Sequence, residues 1–411
     1  MEYGLTKYRK YLFNTIKVVL LLLLLTSAIN FLVDPYGLFR IVEIKGFNQQ
    51  KEGIRSKIRF VKSLELPLRK PGTVLIGSSR VHDGMNPDHP LLQEYGPVYN
   101  MGIDMLRICE ATEYLKHCVI NTDVRRVIFG IDFFMFNAAE RVNPSFDHKV
   151  VGRKINIIDY FKAPLITSDA LTGSWNTIKT SNNYEERNEF LANGFRPGNY
   201  VFYKVKDYRK LHCYTNWIFL SHDPLTSPYY GIYKTDDETF RHFEEFVRIC
   251  RSKNIDLKIF ISPAHANLDG EAIRVAGLWN YFEEWKRKVT RICSQNGVTL
   301  WDFSGYNSIT TETVITPMKY YWDSSHYTEK TSDLILKRIF NKSSGNKNIL
   351  YDFGVELTPQ NIEKHLEDTR SARELYVKTH KEEVELIQQI YNYAKNGLPL
   401  PAEQTTGMFD N

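Results

Sequence analysis

Apolar residues along this chain fall into two patterns, one continuous and one interrupted. The continuous pattern lies near the start, where Val18 to Val33 carries no charge and includes six consecutive leucines. Extended back through Lys17 to Tyr11, the run is long enough to cross a hydrocarbon core of about 30 Å as a helix. Lys17 can snorkel toward the basic side. The interrupted pattern starts at Thr73-Val74-Leu75-Ile76, a short apolar run bounded by Pro71-Gly72 and Gly77. Such a run between breakers predicts a fully buried strand. Further strands are predicted at Pro97–Met101, Arg126–Ile131, Leu257–Ile261 and Val298–Trp301. Helical periodicity occupies 105–119, 240–250, 271–295 and 329–341. Strands alternating with helices predict an α/β domain with a parallel sheet covered on both faces, a three-layer α/β/α arrangement.

The rhythm divides the chain. Residues 1–33 form a stub and an apolar helix. Asp34-Pro35-Tyr36-Gly37 reads as a turn, and 34–70 as a charged connecting segment that packs on the main domain. Residues 71–341 hold the α/β domain, interrupted at about 140–235 by an aromatic-rich insertion without βα rhythm, a candidate lid. A Ser/Gly/Asn/Lys linker follows at 342–348. Residues 349–411 are a helical extension, with Thr358-Pro359 as its cap and first helical position.

Composition refines this picture. A net charge of +5 without a long basic block does not argue for nucleic-acid binding, which usually needs a concentrated basic face. Lys7, Arg9 and Lys10 before the apolar run place residues 1–10 in the cytoplasm and the remainder outside, by the excess of positive charge on the inner side. The alternative is a cleaved signal peptide, with Thr26-Ser27-Ala28 as its cleavage site. The apolar run continues past that site through Ile29, Phe31, Leu32 and Val33, which favours an uncleaved single-pass anchor. Five cysteines form no CxxC pair and no zinc-like cluster, so they read as buried thiols. No metal and no cofactor is called for.

Two segments carry candidate chemistry. Gly77-Ser78-Ser79-Arg80 follows the first buried strand, at the end where open α/β sheets bind ligands, and the glycine permits a sharp turn. Asp323-Ser324-Ser325-His326 precedes the last helix of the domain. A carboxylate three residues before a histidine can hold the Nδ1–H tautomer and leave Nε2 to take a proton from Ser79. Each segment alone has a simpler explanation, a plain turn or a helix cap with a surface histidine.

Their order in the chain resembles the SGNH (GDSL-type) hydrolase superfamily, in which a serine block opens the domain and an Asp-x-x-His block closes it. The likeness covers about 70–341 outside the insertion. It implies Ser79 as nucleophile, Asp323 as orienter and His326 as general base. It also implies that the N–H groups of Ser79 and Gly102 (in Asn100-Met101-Gly102) form the oxyanion hole. The family's third block is Gly-x-Asn, whereas this chain has Gly130-Ile131-Asp132. A carboxylate there repels an oxyanion, so Asp132 is expected to be protonated or turned elsewhere, toward Arg80 or a substrate hydroxyl. Arg80, Asp132 and His265 are possible substrate contacts. His82 and Asp83 line the cleft or complete a turn with Gly84. Aromatics at 199–235 stack on sugar rings or pack beneath the lid. The anchor, the Asp-Pro-Tyr-Gly turn and the Gly-Ser-Ser-Arg block are similar to cell-envelope members that O-acetylate alginate or D-alanylate teichoic acids. The resemblance therefore implies acyl transfer to a polysaccharide outside the membrane, with a membrane protein as possible acyl donor. The alternative is a catalytically weak or inactive glycan-binding or assembly protein of the same fold.

Overall fold

The computed structural model describes residues 2–139, 142–182, 189–223, 229–340 and 352–409; the expected linker at 342–348 lies outside them. Helix α1 (Glu2–Val33) contains the one stretch among the described residues, Lys7–Val33, long and apolar enough to cross a membrane. As a single N-terminal apolar helix it fits a membrane anchor or a signal sequence.

The end of α1 is gripped by the chain that follows it. The last carbonyls of a helix have no partner within it. Here Asn30 O accepts from Asp34 N (2.9 Å), Leu32 O from Asn48 Nδ2 (2.9 Å) and Val33 O from Lys51 Nζ (3.2 Å). The predicted turn forms at once. Asp34 takes a positive φ of 50°, and its carboxylate accepts from the N–H groups of Leu38, Phe39 and Arg40. The region expected as a connecting segment then contains helix α2 (Glu52–Arg69), which buries Val61, Leu64 and Leu66.

The sheet has six strands: β1 (Thr73–Ile76), β2 (Val98–Asn100), β3 (Arg126–Ile131), β4 (Asp256–Ile261), β5 (Leu300–Asp302) and β6 (Val355–Leu357). Their spatial order is β2-β1-β3-β4-β5-β6, and all pairs are parallel except β5 with β6. The register sets Leu75 beside Ile128 and Phe260 beside Trp301. Strand side chains alternate in direction, and the core divides accordingly. Val74, Ile76, Val127, Phe129, Ile259 and Ile261 join one apolar cluster, while Leu75, Ile128, Phe260 and Trp301 join another.

In chain order the remaining helices are α3 (Ser79–Gly84), α4 (Ile108–Asn121), α5 (Ile157–Ile166), α6 (Ser168–Asn182), α7 (Gly198–Val201), α8 (Tyr208–Leu220), α9 (Asp237–Ser252), α10 (Ile273–Val275), α11 (Trp279–Gln295), α12 (Glu329–Ile339), α13 (Ile362–Thr379) and α14 (Lys381–Lys395). Helices α4, α9, α11 and α14 supply the first cluster, and α3 and α12 the second. Among the described residues the insertion has helices α5 to α8 and no strand, in line with its missing rhythm.

Two elements differ from expectation. The helix predicted over 271–295 is broken: a π-helical turn at Asn267–Ala272 runs into α10, and α11 starts only after Gly277, whose φ of 75° stops the first piece. The C-terminal region, expected to be only helical, first adds β6 to the open edge of β5. Three residues are too few to carry a strand period, so no pattern announced it.

Candidate active site

The carboxyl ends of the parallel strands deliver the site. After β1 the chain passes Gly77 and enters α3 with Ser79 as its first helical residue. Glycine is required at 77, because a Cβ there would lie 2.3 Å from Val81 Cγ2 and 3.0 Å from Gly130 O. The Ser78 hydroxyl caps α3 by accepting from Arg80 N at 3.2 Å. Ser79 N–H, at the helix start, has no carbonyl within the helix to bond.

Asp323 and His326 arrive on the loop before α12. Asp323 Oδ1 accepts from the N–H groups of Ser325 and His326, both at 2.7 Å, so the turn itself seats the carboxylate. Trp322 N donates to His326 O at 2.8 Å and closes the turn from outside. The His326 Nδ1 lies 2.9 Å from Asp323 Oδ2 and 3.0 Å from Oδ1, and Nε2 lies 2.9 Å from Ser79 Oγ. An ionised carboxylate can only accept, so Nδ1 carries the hydrogen and the Nε2 lone pair faces the serine hydroxyl. Ser79 and His326 are both half-buried, with a route to solvent.

Electrostatics support that arrangement. Burial alone would raise the Asp323 carboxyl, but the His326 ring and amide outweigh it and bring it down to about 2. Burial also opposes an imidazolium at His326; the Asp323 carboxylate overcomes this and lifts the ring above its ordinary 6.5. Thr215 on α8 donates to Asp323 Oδ2 at 3.2 Å, so a residue of the insertion also holds that carboxylate.

Arg80 and Asp132 meet beneath this line of groups. Arg80 Nη1 donates to Asp132 Oδ1 (2.9 Å) and Asp269 Oδ2 (3.0 Å), Nη2 to Asp269 Oδ1 (3.2 Å) and Nε to Ser325 Oγ (3.2 Å). Tyr230 OH adds a bond to Asp269 at 2.8 Å. Arg80 and Asp132 are each about 1% exposed, so they are not open to a substrate as expected: they brace the helix that starts at Ser79 against the loop of His326. Asp132 is turned toward Arg80, one of the two directions expected for it.

Gly102 also differs. Its N–H, expected to serve an oxyanion, donates to Asn100 Oδ1 at 2.8 Å, while Asn100 Nδ2 donates to Val81 O and Met85 O. A Cβ at 102 would fall 2.5 Å from His82 N, so glycine here permits close approach of two backbones. His265 is buried; its Nε2 donates to Glu312 O (2.7 Å) and its Nδ1 accepts from Asn267 N (3.2 Å), leaving neither nitrogen for a substrate. Burial lowers it to about 4. His82 and Asp83 are buried within α3 rather than lining a cleft.

Beside His326 stands a charged group that sequence reasoning missed. Arg196, from the insertion, donates to both oxygens of Asp83 (2.7 and 2.9 Å) and to Asp104 Oδ1 (3.1 Å). His82, Asp83 and Asp104 place donor atoms within 4.8 Å of one another in the manner of a cation site. The cation that Asp83 and Asp104 hold is the Arg196 guanidinium. On the open side the Phe202 ring lies 5.6 Å from His326 and stacks on Trp322 at 5.8 Å. Other aromatics of the insertion, Phe219 and Tyr230, are core.

No protein-family model matches the chain, and no curated protein does. A serine hydroxyl, an imidazole and a carboxylate in one hydrogen-bonded line can abstract the hydroxyl proton during attack and return it to a leaving group.

Proposed function

We propose that the chain is a serine acyltransferase or esterase of the SGNH type, with the three-layer α/β/α architecture of that superfamily. It acts outside the cytoplasm on a cell-envelope or secreted polysaccharide. One observation carries the reading: the hydrogen-bonded line Ser79 Oγ, His326 Nε2, His326 Nδ1, Asp323 at the carboxyl end of β1. In the proposed reaction Ser79 Oγ attacks an acyl carbonyl as His326 takes its proton. The donor's leaving group departs with that proton, and an acyl-enzyme remains on Ser79. A sugar hydroxyl, or water, then attacks the acyl carbon, gives its proton to His326 and frees the serine. Ser79 N–H is the candidate oxyanion donor. The Phe202 and Trp322 rings are the candidate wall for a sugar, and α1 is the candidate single-pass anchor that holds the site near a membrane acyl donor.

The test is labelling of the full chain by a fluorophosphonate probe. Labelling that Ser79→Ala and His326→Ala abolish supports the reading; a folded wild-type protein that does not label overturns it. A second reading, a glycan-binding or assembly protein with little catalytic power, is favoured by one specific finding. The Gly102 N–H is already bonded to Asn100, and Asp132 offers no donor where the family carries an asparagine. Glycan binding that persists in Ser79→Ala, without labelling of the wild type, selects it.

A further inference from the structure

Outside α1, one group of exposed large apolar side chains falls together on α5 and α6. Helix α5 presents Ile157 (71% exposed), Ile158 (65%) and Phe161 (55%), and α6 presents Leu171 and Trp175 (69%). Soluble surfaces carry single exposed apolar residues, whereas a contiguous group marks a contact. The partner is indicated by where these helices are held. Asn30, buried in the last turn of α1, donates to Leu165 O of α5 at 2.8 Å and accepts from Ser174 Oγ of α6 at 2.8 Å. Thr26 and Ser27, one turn earlier, are half-covered, while Leu24 and Leu25 before them are bare.

Depth follows from helix geometry. A span needs about 20 apolar residues, and at 1.5 Å per residue Asn30 lies only about 5 Å from the Val33 end. The helices pinned to Asn30 therefore sit at the level where hydrocarbon gives way to headgroups. Their composition suits that level: apolar residues and an exposed tryptophan, with Lys162 and Lys179 exposed among them. Asp169, the exposed acid at the start of α6, is paired with Lys57 at 3.0 Å.

We propose that α5 and its junction with α6 form a second membrane contact, an interfacial seat whose apolar face enters the lipid leaflet from which α1 emerges. The occupant is phospholipid, because the exposed face is continuous with the bare lipid-length surface of α1. The proposal rests on α1 as a membrane helix and is independent of the reaction proposed above.

It can be tested with the full chain in vesicles of phosphatidylcholine and phosphatidylglycerol, some carrying a spin-label quencher on the acyl chain. A polarity-sensitive fluorophore is attached to a cysteine at Ile158, at Leu24 in α1, or at Leu375 on α13. Labelling of the native cysteines is low, since four are buried and Cys109 has its thiol pushed up to about 12, and unsubstituted protein supplies the background. The expected result is acyl-chain quenching at Ile158 close to that at Leu24 and well above that at Leu375. Quenching at Leu24 with Ile158 matching Leu375 overturns the seat and leaves the anchor standing; this is also the outcome if another membrane protein covers the face. Absence of quenching at both Leu24 and Ile158 overturns anchor and seat together. A probe at Trp175 repeats the measurement on α6 in case the change at 158 disturbs α5.

Discussion

At the level of single residues, the Asp323 carboxylate sets when His326 could act as the base of the proposed reaction. The ring must be neutral to accept the Ser79 proton, and Asp323 raises its affinity for protons. Activity should therefore rise with pH through an apparent pKa above 6.5, the ordinary histidine value. Asp323→Asn should lower that midpoint and cut the rate about 10⁴-fold, since the amide favours the wrong tautomer; a pH–rate profile of both proteins checks this. Arg80 acts differently. Replacing it by Met leaves Asp132 and Asp269 buried without their cation, and should cost about 3–5 kcal/mol of stability, read as a lower urea midpoint. Arg80→Lys keeps the charge but lacks the fork that reaches Asp132, Asp269 and Ser325 at once. It should fold better than Arg80→Met and still label more slowly than wild type.

At the level of elements, Lys62 shows how α2 is built into the site region. Its ammonium donates to Asn100 O (2.9 Å), Gly102 O (2.6 Å) and Gly194 O (2.9 Å), joining α2, the end of β2 and the insertion. Burial lowers its pKa from 10.5 to about 7, against the opposing pull of Glu65 and Asp104. Between those values the unfolded chain binds more protons than the folded one, so stability rises with pH across that window. The gain should be on the order of 2 kcal/mol from about pH 7.5 to about pH 9. Urea unfolding at several pH values should show this rise in wild type and not in Lys62→Met. The element also marks a boundary of what the sequence discloses. The meeting of Ser79, Asp323 and His326 was readable because each carries a local sign, a glycine turn after a buried strand or an acid three residues before a histidine. Lys62, Arg196, Asp269 and Thr215 carry none: each meets its partners across dozens of residues or more, and only the packed chain shows the pairing. Gly102 was readable as a special position but not as to its use, because a glycine tolerates close approach and serves as an amide donor equally well.

For the whole molecule, the alternation of strands and helices foretold the parallel sheet, and the apolar run foretold α1. The insertion remained opaque because its helices are organised around things the pattern does not contain. Residues α5–α6 grip Asn30, α8 reaches Asp323, and the segment with Arg196 crosses over α3 through Arg196 N to His82 O at 3.2 Å. Removing 190–198 should therefore do more than open a lid: with Arg196 gone, Asp83 and Asp104 lose their common cation, and probe labelling should fall even in protein that stays folded by circular dichroism.

The grip on the last carbonyls of α1 bears on how far the Ser79 site can travel. A domain on a slack tether sweeps a hemisphere and collides with substrates at many heights. Here Asn48, Lys51 and Asp34 turn the junction into a rigid post. With α1 in a bilayer, Ser79 sits at one fixed height and one bearing, and under the proposed function a polymer must be brought past that point. Inserting a flexible glycine-serine segment between Val33 and Asp34 should leave fluorophosphonate labelling intact, since that probe diffuses freely. It should slow turnover of any acceptor or donor confined to the membrane surface.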